Sequence, residues 1–227
     1  MKQTSEAFKM ITIVIPCKNE NYTLIKTIEA IPTTIPIIIA DSSTDNTLDL
    51  IPPHIKVVSG GLPSIARNNG AKEVKTPYVL FLDADIYLKD STTIDKCLYQ
   101  LEANNLDLVT IKLTTFEIWY RWVHALFNIV QSISSKTRPF AVGGFMMFRT
   151  EAFWKLGGFN ELDKVAEDYR LSMKVRPSKF KIINKTAYTS ARRFKKKGIF
   201  YMVKLLVMCW LNRNNANFFT NDQNYWT

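Results

Sequence analysis

Residues 77–86 read PYVLFLDADI. Five apolar, strand-forming residues, Tyr78 to Leu82, run unbroken into Asp83, Ala84 and Asp85. An apolar run of this length after a proline predicts a strand buried on both faces. If the strand continues through the aspartates, their side chains share one side of it. Two carboxylates that close repel each other, so positive charge is expected at this strand end.

The flanking sequence places that strand in a series. MITIVIPCKNE predicts a strand stopped at Pro16, and NYTLIKTIEAI a helix with Leu24, Ile28 and Ile31 at helical spacing. PIIIADSS is a second buried run, ending in Asp41. TDNTLDLI is expected to start a helix capped by Thr44 or Asp45. HIKVVSGG is a third strand, closed by Gly60-Gly61, and LPSIARNNGAKEV a helix with Ile65 and Ala66 on its inner side. Near-continuous apolar strands alternating with helices predict an α/β fold: a mostly parallel sheet covered on both faces. Such sheets bind ligands beyond the carboxyl ends of their strands. That edge would collect Pro16 to Glu20, Asp41 to Thr44, the diglycine and the D-x-D. Aspartates offer hard oxygen ligands suited to Mg²⁺ or Mn²⁺, ions that usually bind through one or two carboxylates plus substrate phosphates. Neither a P-loop nor a G-x-G-x-x-G fingerprint competes for the phosphate role.

Beyond residue 87 a helix and strand are expected in TTIDKCLYQLEANNLDLVTIKL. FEIWYRWVHALFNIVQSI places Trp119, Trp122 or Val123, Leu126 or Phe127, Val130 and Ile133 at helical spacing. RPFAVGGFMMFRTEAFWKLGGFNE reads as strand and helix. KVAEDYRLSMKVR begins a helix with Glu167 and Asp168 in its first turn, where the helix dipole favours acids in any case. KIINKTAYTSARRFKKKG is a last strand entering a basic run.

Composition limits the alternatives. A chain of 227 residues, 47% of them hydrophobic, suits one domain with a full core plus an appendage. Cys17, Cys97 and Cys209 form no C-x-x-C pair, which argues against a disulfide framework or zinc site and fits a reducing compartment. No signal peptide is read at the N-terminus. The net charge of +10 is uneven: residues 1–170 hold 18 Lys+Arg against 19 Asp+Glu, and residues 171–227 hold 12 against one. The basic end is expected to meet something anionic. Five basic residues in Arg192–Lys197 precede Ile199–Leu211, apolar but for Lys204. That run is too short to span a bilayer but suits the interface, with the Trp119–Ile133 helix as a second contact. It is too continuously apolar for a solvated nucleic-acid face, so no nucleic-acid partner is expected. His54, beside two prolines, and His124, on an amphipathic helix, read as structural.

The segments TIVIPCKNE, IIADSSTDNT, GLPSIARNNGAKEVKTPYVLFLDADI, GGFMMFRTEAFWKLGGFNE and AEDYRLSMKV resemble, in order, those of family 2 glycosyltransferases of the GT-A fold. The likeness covers roughly residues 10–195. It implies a nucleotide-binding half over 10–86, an acceptor half over 87–195, and a basic, apolar helical tail over 196–227. It implies an inverting, metal-dependent transfer from a UDP- or GDP-sugar to an acceptor hydroxyl or phosphate, with Mn²⁺ or Mg²⁺ as cofactor; the composition of the tail adds the expectation that a sugar or lipid-linked acceptor is met at a membrane. By resemblance, Pro16, Lys18, Glu20 and Asp41 hold the nucleotide, Asp41 accepting from the base. Arg67 lies near base and diphosphate, Asp83-Ala84-Asp85 meets the nucleotide sugar, and Asp85, supported by Asp83, ligates the metal. Asp168 is the implied general base and Glu167 orients it. Gly143, Gly144 and Phe145 lie on the sugar and acceptor side, and Arg192 and Arg193 reach the diphosphate. Ala40 departs from the second acid many relatives carry there. A cytoplasmic location, peripheral on the inner face of the membrane, follows from the tail. A nucleotide-sugar-binding protein without transfer activity and a nucleotidyltransferase are the alternatives.

Overall fold

The computed structural model describes residues 10–223. Seven strands form one sheet: β1 (Ile11–Cys17), β2 (Ile37–Asp41), β3 (Lys56–Ser59), β4 (Tyr78–Leu82), β5 (Leu108–Thr115), β6 (Phe145–Arg149) and β7 (Phe180–Thr189), in the order β3-β2-β1-β4-β6-β5-β7. β6 runs antiparallel to both β4 and β5, and every other pairing is parallel. The carboxyl ends of six strands and the start of β6 therefore share one edge.

The helices are α1 (Leu24–Glu29), α2 (Pro63–Lys72), α3 (Thr93–Ala103), α4 (Arg121–Ser134), α5 (Thr150–Lys155), α6 (Glu167–Ser172), α7 (Arg192–Lys197), α8 (Ile199–Leu211) and α9 (Ala216–Thr220). Because strand side chains alternate, the central strands feed two cores. Ile11, Ile13, Ile15, Leu80, Leu82 and Met147 pack with Leu24 of α1 and Ile94, Leu98 and Leu101 of α3. Val14, Val79, Phe81, Met146 and Phe148 pack on the opposite face with Ala71 of α2, Phe153 of α5 and Phe159. Phe81, Phe148, Phe153 and Phe159 form an aromatic group with centroids 4.9–6.2 Å apart, in the tilted and edge-on arrangements aromatic rings prefer. α2 lies hard on β1: a Cβ on Gly70 would stand 2.3 Å from Val14 Cγ1, so no side chain fits there.

Three local expectations are corrected. The helix over TDNTLDLI is a single 3-10 turn, Leu48–Leu50. Asp45 accepts the Thr47 amide at 3.0 Å, Thr47 in turn accepts the Glu20 amide, and Pro52-Pro53 stops extension. β4 ends at Leu82, so Asp83 and Asp85 sit in a turn, outside strand alternation. On α2 the inner side is Ser64, Ala66, Arg67, Asn68, Gly70 and Ala71, while Ile65 is half-exposed. The spacing in α4 left open what its apolar stripe faces; the stripe faces away from the core, and the buried residues are Val123, His124 and Gln131.

Part of the tail packs on the body of the chain. The division expected at 195/196 falls within α7. Cys209 of α8 and Phe219 of α9 are buried with Phe140, Val165 and Tyr169, and the Lys164 amide donates to Phe219 O at 2.8 Å. Residues 224–227 of the expected tail lie outside the described residues. No helix among the described residues is long and apolar enough to cross a membrane.

Candidate active site

Two loops close the β1 and β2 end of the edge. Asn19 takes a left-handed conformation (φ 55°), which asparagine tolerates better than most residues. Its amide donates to Ser43 Oγ at 2.8 Å, and its side-chain oxygen accepts the Thr44 amide at 2.8 Å. Asp41 accepts from the Ser43 hydroxyl at 2.6 Å and the Ser43 amide at 3.2 Å. Pro16 and Lys18 flank Cys17, whose thiol is pushed up to about 12 by burial and then by the Asp41 charge. Both effects disfavour the thiolate, the nucleophilic form of a cysteine. Glu20 accepts from Thr23 at 2.7 Å and pairs with Arg192 of α7, 172 residues away.

The D-x-D turn is supported from beneath by a residue that carried no sequence signal. Thr27 of α1 is buried, and its hydroxyl lies 2.9 Å from Ala84 O and 3.0 Å from Ile86 O. The two aspartates then go separate ways. Asp83 pairs with Arg67 at 2.6 Å. Asp85 accepts from Thr189, at the end of β7, at 3.1 Å. Burial, with the Asp83 and Glu20 charges, pushes the Asp85 carboxyl up to about 6.

Arg67 is the hub. It is 3% exposed. One guanidinium nitrogen bonds Asp83, and the other bonds Glu167 at 2.5 Å. Phe159 lies 5.4 Å beneath the guanidinium. Burial disfavours its charge, but Asp83, Glu167 and Asp168 outweigh burial and raise its pKa further. The resemblance placed Arg67 near a ligand; here its guanidinium is buried between carboxylates. It links the D-x-D to the E-D pair, with Glu167 lying 100 residues from Arg67 in sequence. Gly143 permits this closeness, since a Cβ there would stand 2.6 Å from Arg67 Nη2.

Glu167 and Asp168 open α6. Ala166, just before them, is a non-glycine residue in the left-handed region (φ 52°, ψ 38°), a conformation that costs about 1–3 kcal/mol and collects at functional sites. Glu167 is turned inward to Arg67. Asp168 accepts the Gly143 amide at 2.5 Å and the Tyr169 amide at 2.7 Å. Burial and the neighbouring Glu167 charge push Asp168 up to about 6, while Arg67 and the two amides pull the other way. Gly144, at the start of β6, accepts the Asp83 amide at 3.3 Å. The site thus gathers Glu20, Asp83, Ala84, Asp85, Gly144, Glu167 and Asp168 with Arg67 and Arg192. Arg193, on the same short helix as Arg192, acts electrostatically on Tyr201 of α8. His54 is exposed, and His124 is buried edge-on to Phe194, its pKa lowered by burial.

No group of three or more metal-ligating side chains forms among the described residues. The donor set still fits a cation that arrives with substrate phosphates. Asp85 has an oxygen ligand held by one hydroxyl and a charge that its surroundings disfavour, and a divalent ion would relieve that excess.

Comparisons with known proteins agree with this fold. Solved structures share the fold. A mannosyltransferase from Pyrobaculum calidifontis, in complex with GDP-Man and Mn²⁺, superposes with a TM-score of 0.65 at 18% identity, over 80% of this chain and 57% of its own. TarS (residues 1–349) of S. aureus, in complex with UDP-GlcNAc, gives 0.62 at 20% identity, over 79% of this chain and 58% of its own. Glucosyl-3-phosphoglycerate synthase from Mycobacterium tuberculosis, with Mn²⁺ and UDP-glucose, gives 0.63 at 16% identity, over 94% and 83%. The chain therefore spans under two thirds of the first two, and at these identities the likeness is one of fold. No curated protein sequence matches the chain. The family model described as glycosyl transferase family 2 matches residues 12–157, well over half the chain and all of the edge from β1 to the start of β6, and the chain belongs to that family.

Proposed function

We propose that the chain transfers a glycosyl group, with inversion, from a nucleoside diphosphate sugar to an acceptor hydroxyl or phosphate carried on a sugar or a lipid. One observation carries the reading: Asp85 and Asp168, far apart in sequence, reach the same strand-end edge, each in surroundings that favour the proton, with Arg67 joining their neighbours Asp83 and Glu167. The structural neighbours described with GDP-Man, UDP-GlcNAc and UDP-glucose support a nucleotide-sugar donor.

In this reading Pro16, Lys18 and Glu20 line the nucleotide, and Asp41 accepts from the base of a UDP- or GDP-sugar. Arg192 and Arg193 serve the diphosphate, and Gly144 borders the sugar. Asp85, backed by Asp83, would hold Mn²⁺ or Mg²⁺; when bound, the cation offsets charge on the departing diphosphate. Asp168 takes the acceptor proton as the acceptor oxygen bonds the anomeric carbon and the bond to the diphosphate breaks. A carboxylate near 6 is a stronger base than an ordinary one yet still ionised at pH 7. Glu167 orients the site through Arg67, which keeps the buried acids compensated. The chain would work in the cytoplasm, at the inner face of the membrane.

Thermal denaturation with nucleoside diphosphates and their sugars, with and without Mn²⁺, tests this. A ligand at a hundred times its Kd stabilises by about 2.7 kcal/mol. One nucleotide should raise the midpoint in a metal-dependent way, with the metal-dependent part lost in Asp85→Ala. Asp168→Ala should keep the shift and lose donor turnover. No shift with any nucleotide overturns the reading.

A further inference from the structure

α4 is amphipathic the wrong way round for a helix on a core. Its polar side chains grip the protein: Asn128 donates to Leu113 O at 2.9 Å and accepts the Leu113 amide at 3.2 Å, and Gln131 donates to Phe140 O at 3.0 Å. Its apolar side chains face out. Trp122, Leu126, Ile129 and Ile133 are exposed, and the 3-10 turn before them adds Ile118 and Trp119, the latter 85% exposed. α8 adds a second outward face with Phe200, 94% exposed, and Trp210. The starts of α4 and α8 share a small core with α7, in which Val123, Ala191 and Phe194 are buried with Tyr120, Ile199 and Met202 against them. Exposed apolar helix faces on neighbouring elements mark an interaction surface.

The charge around the patch selects its partner. Residues 118–138 include Arg121, Lys136 and Arg138 and no acid, and residues 192–211 carry six basic residues and no acid. The bordering acid Glu117 is paired with Lys195 at 2.9 Å. Exposed tryptophans beside a basic run suit the headgroup level of an anionic bilayer, where the rings enter the interface and the cations meet phosphate. A self-complementary contact with a second copy would set this cationic surface against itself.

We propose that the outward faces of α4 and α8, with the basic run of α7, form a single surface that seats on an anionic lipid bilayer. α7 carries both Lys195 of this surface and Arg192, which reaches Glu20 at the strand-end edge. Docking therefore sets the mouth of the site beside the membrane plane, and a lipid-borne acceptor is the class it would present there. The docking itself stands independently of the transfer reading.

Co-sedimentation of the full chain with phosphatidylcholine vesicles, and with vesicles one third phosphatidylglycerol, tests it. Binding should rise at least ~10-fold with the anionic lipid and weaken as salt is raised. Trp119→Ser/Trp122→Ser should lose most of the binding on both vesicles, and Lys196→Glu/Lys204→Glu should lose the anionic preference. Both should keep the parent's melting temperature and nucleotide-induced shift. Failure of a folded parent to bind either vesicle overturns the proposal, as does binding indifferent to the tryptophan substitutions. A dimer dissolved by those substitutions would assign the face to a second copy instead. A missing nucleotide shift with intact vesicle binding sinks the transferase reading alone.

Discussion

α3 and α4 are two helices of similar length, each with an apolar stripe at helical spacing, and they end in opposite situations. α3 turns Ile94, Cys97, Leu98 and Leu101 into the core beneath the central strands. α4 turns Trp122, Leu126, Ile129 and Ile133 to the outside and buries Val123, His124 and Gln131. Periodicity fixes that a stripe exists; it does not fix what the stripe faces. The polar positions carry that information. Asn128 and Gln131 satisfy backbone groups of Leu113 and Phe140, and those bonds can form only with this side of the helix turned inward.

The contrast is open to attack by substitution, beginning with the largest effect. Leu98→Ala in α3 should lower stability by about 2–5 kcal/mol, because it removes buried methyl groups and leaves a cavity; denaturant unfolding measures this. Gln131→Leu in α4 should cost about 1–3 kcal/mol despite being more apolar, because the Phe140 carbonyl loses its buried donor. A neutral result would mean that α4 is held by something other than its polar side.

The strand-end carboxylates lie between these extremes. Asp85 has a folded pKa of about 6, above its unfolded value, so its charged form costs stability at pH 7. That cost is relieved as pH falls through 6 and is absent below the unfolded value. Asp85→Asn should therefore raise metal-free stability at pH 7 by about 1–2 kcal/mol, allowing for partial exposure, and give no gain near pH 4. Melting curves at the two pH values check the sign. The smallest effect belongs to the outer face of α4: Ile129→Ser should change stability by no more than about 0.5 kcal/mol. A loss as large as that of Leu98→Ala would mean the face is covered in solution.

Much of the strand-end edge was legible along the chain. The buried strand runs, the turn residues after them and the acids at their ends lie within short segments, and a parallel sheet brings those ends to one edge whatever the packing detail. The helix over TDNTLDLI was misread because Thr47 is committed to the Glu20 amide, a partner 27 residues away. Thr27 and Thr189 were missed because a threonine on a helix or strand looks like any other until its carbonyl or carboxylate partner is in place. The resemblance implied Arg67 near the ligand, but its position between Asp83 and Glu167 depends on α2 and α6 meeting over one face of the sheet.

By itself the sequence determined what is local or repeats along the chain: an α/β sheet with acids at its strand ends, an acidic pair opening a helix, and a basic, apolar C-terminal stretch. The tertiary structure decided what depends on contacts between distant segments. It ran β6 antiparallel, so that Gly143 enters from the start of a strand and lets Arg67 approach Asp168. It packed Cys209 and Phe219 of the tail against Tyr169, next to Asp168. It turned the apolar face of α4 outward. The physical reason is common to all three: side-chain pattern sets local conformation and which residues share a face, whereas the partner of that face is chosen by the burial and hydrogen bonding of the whole chain.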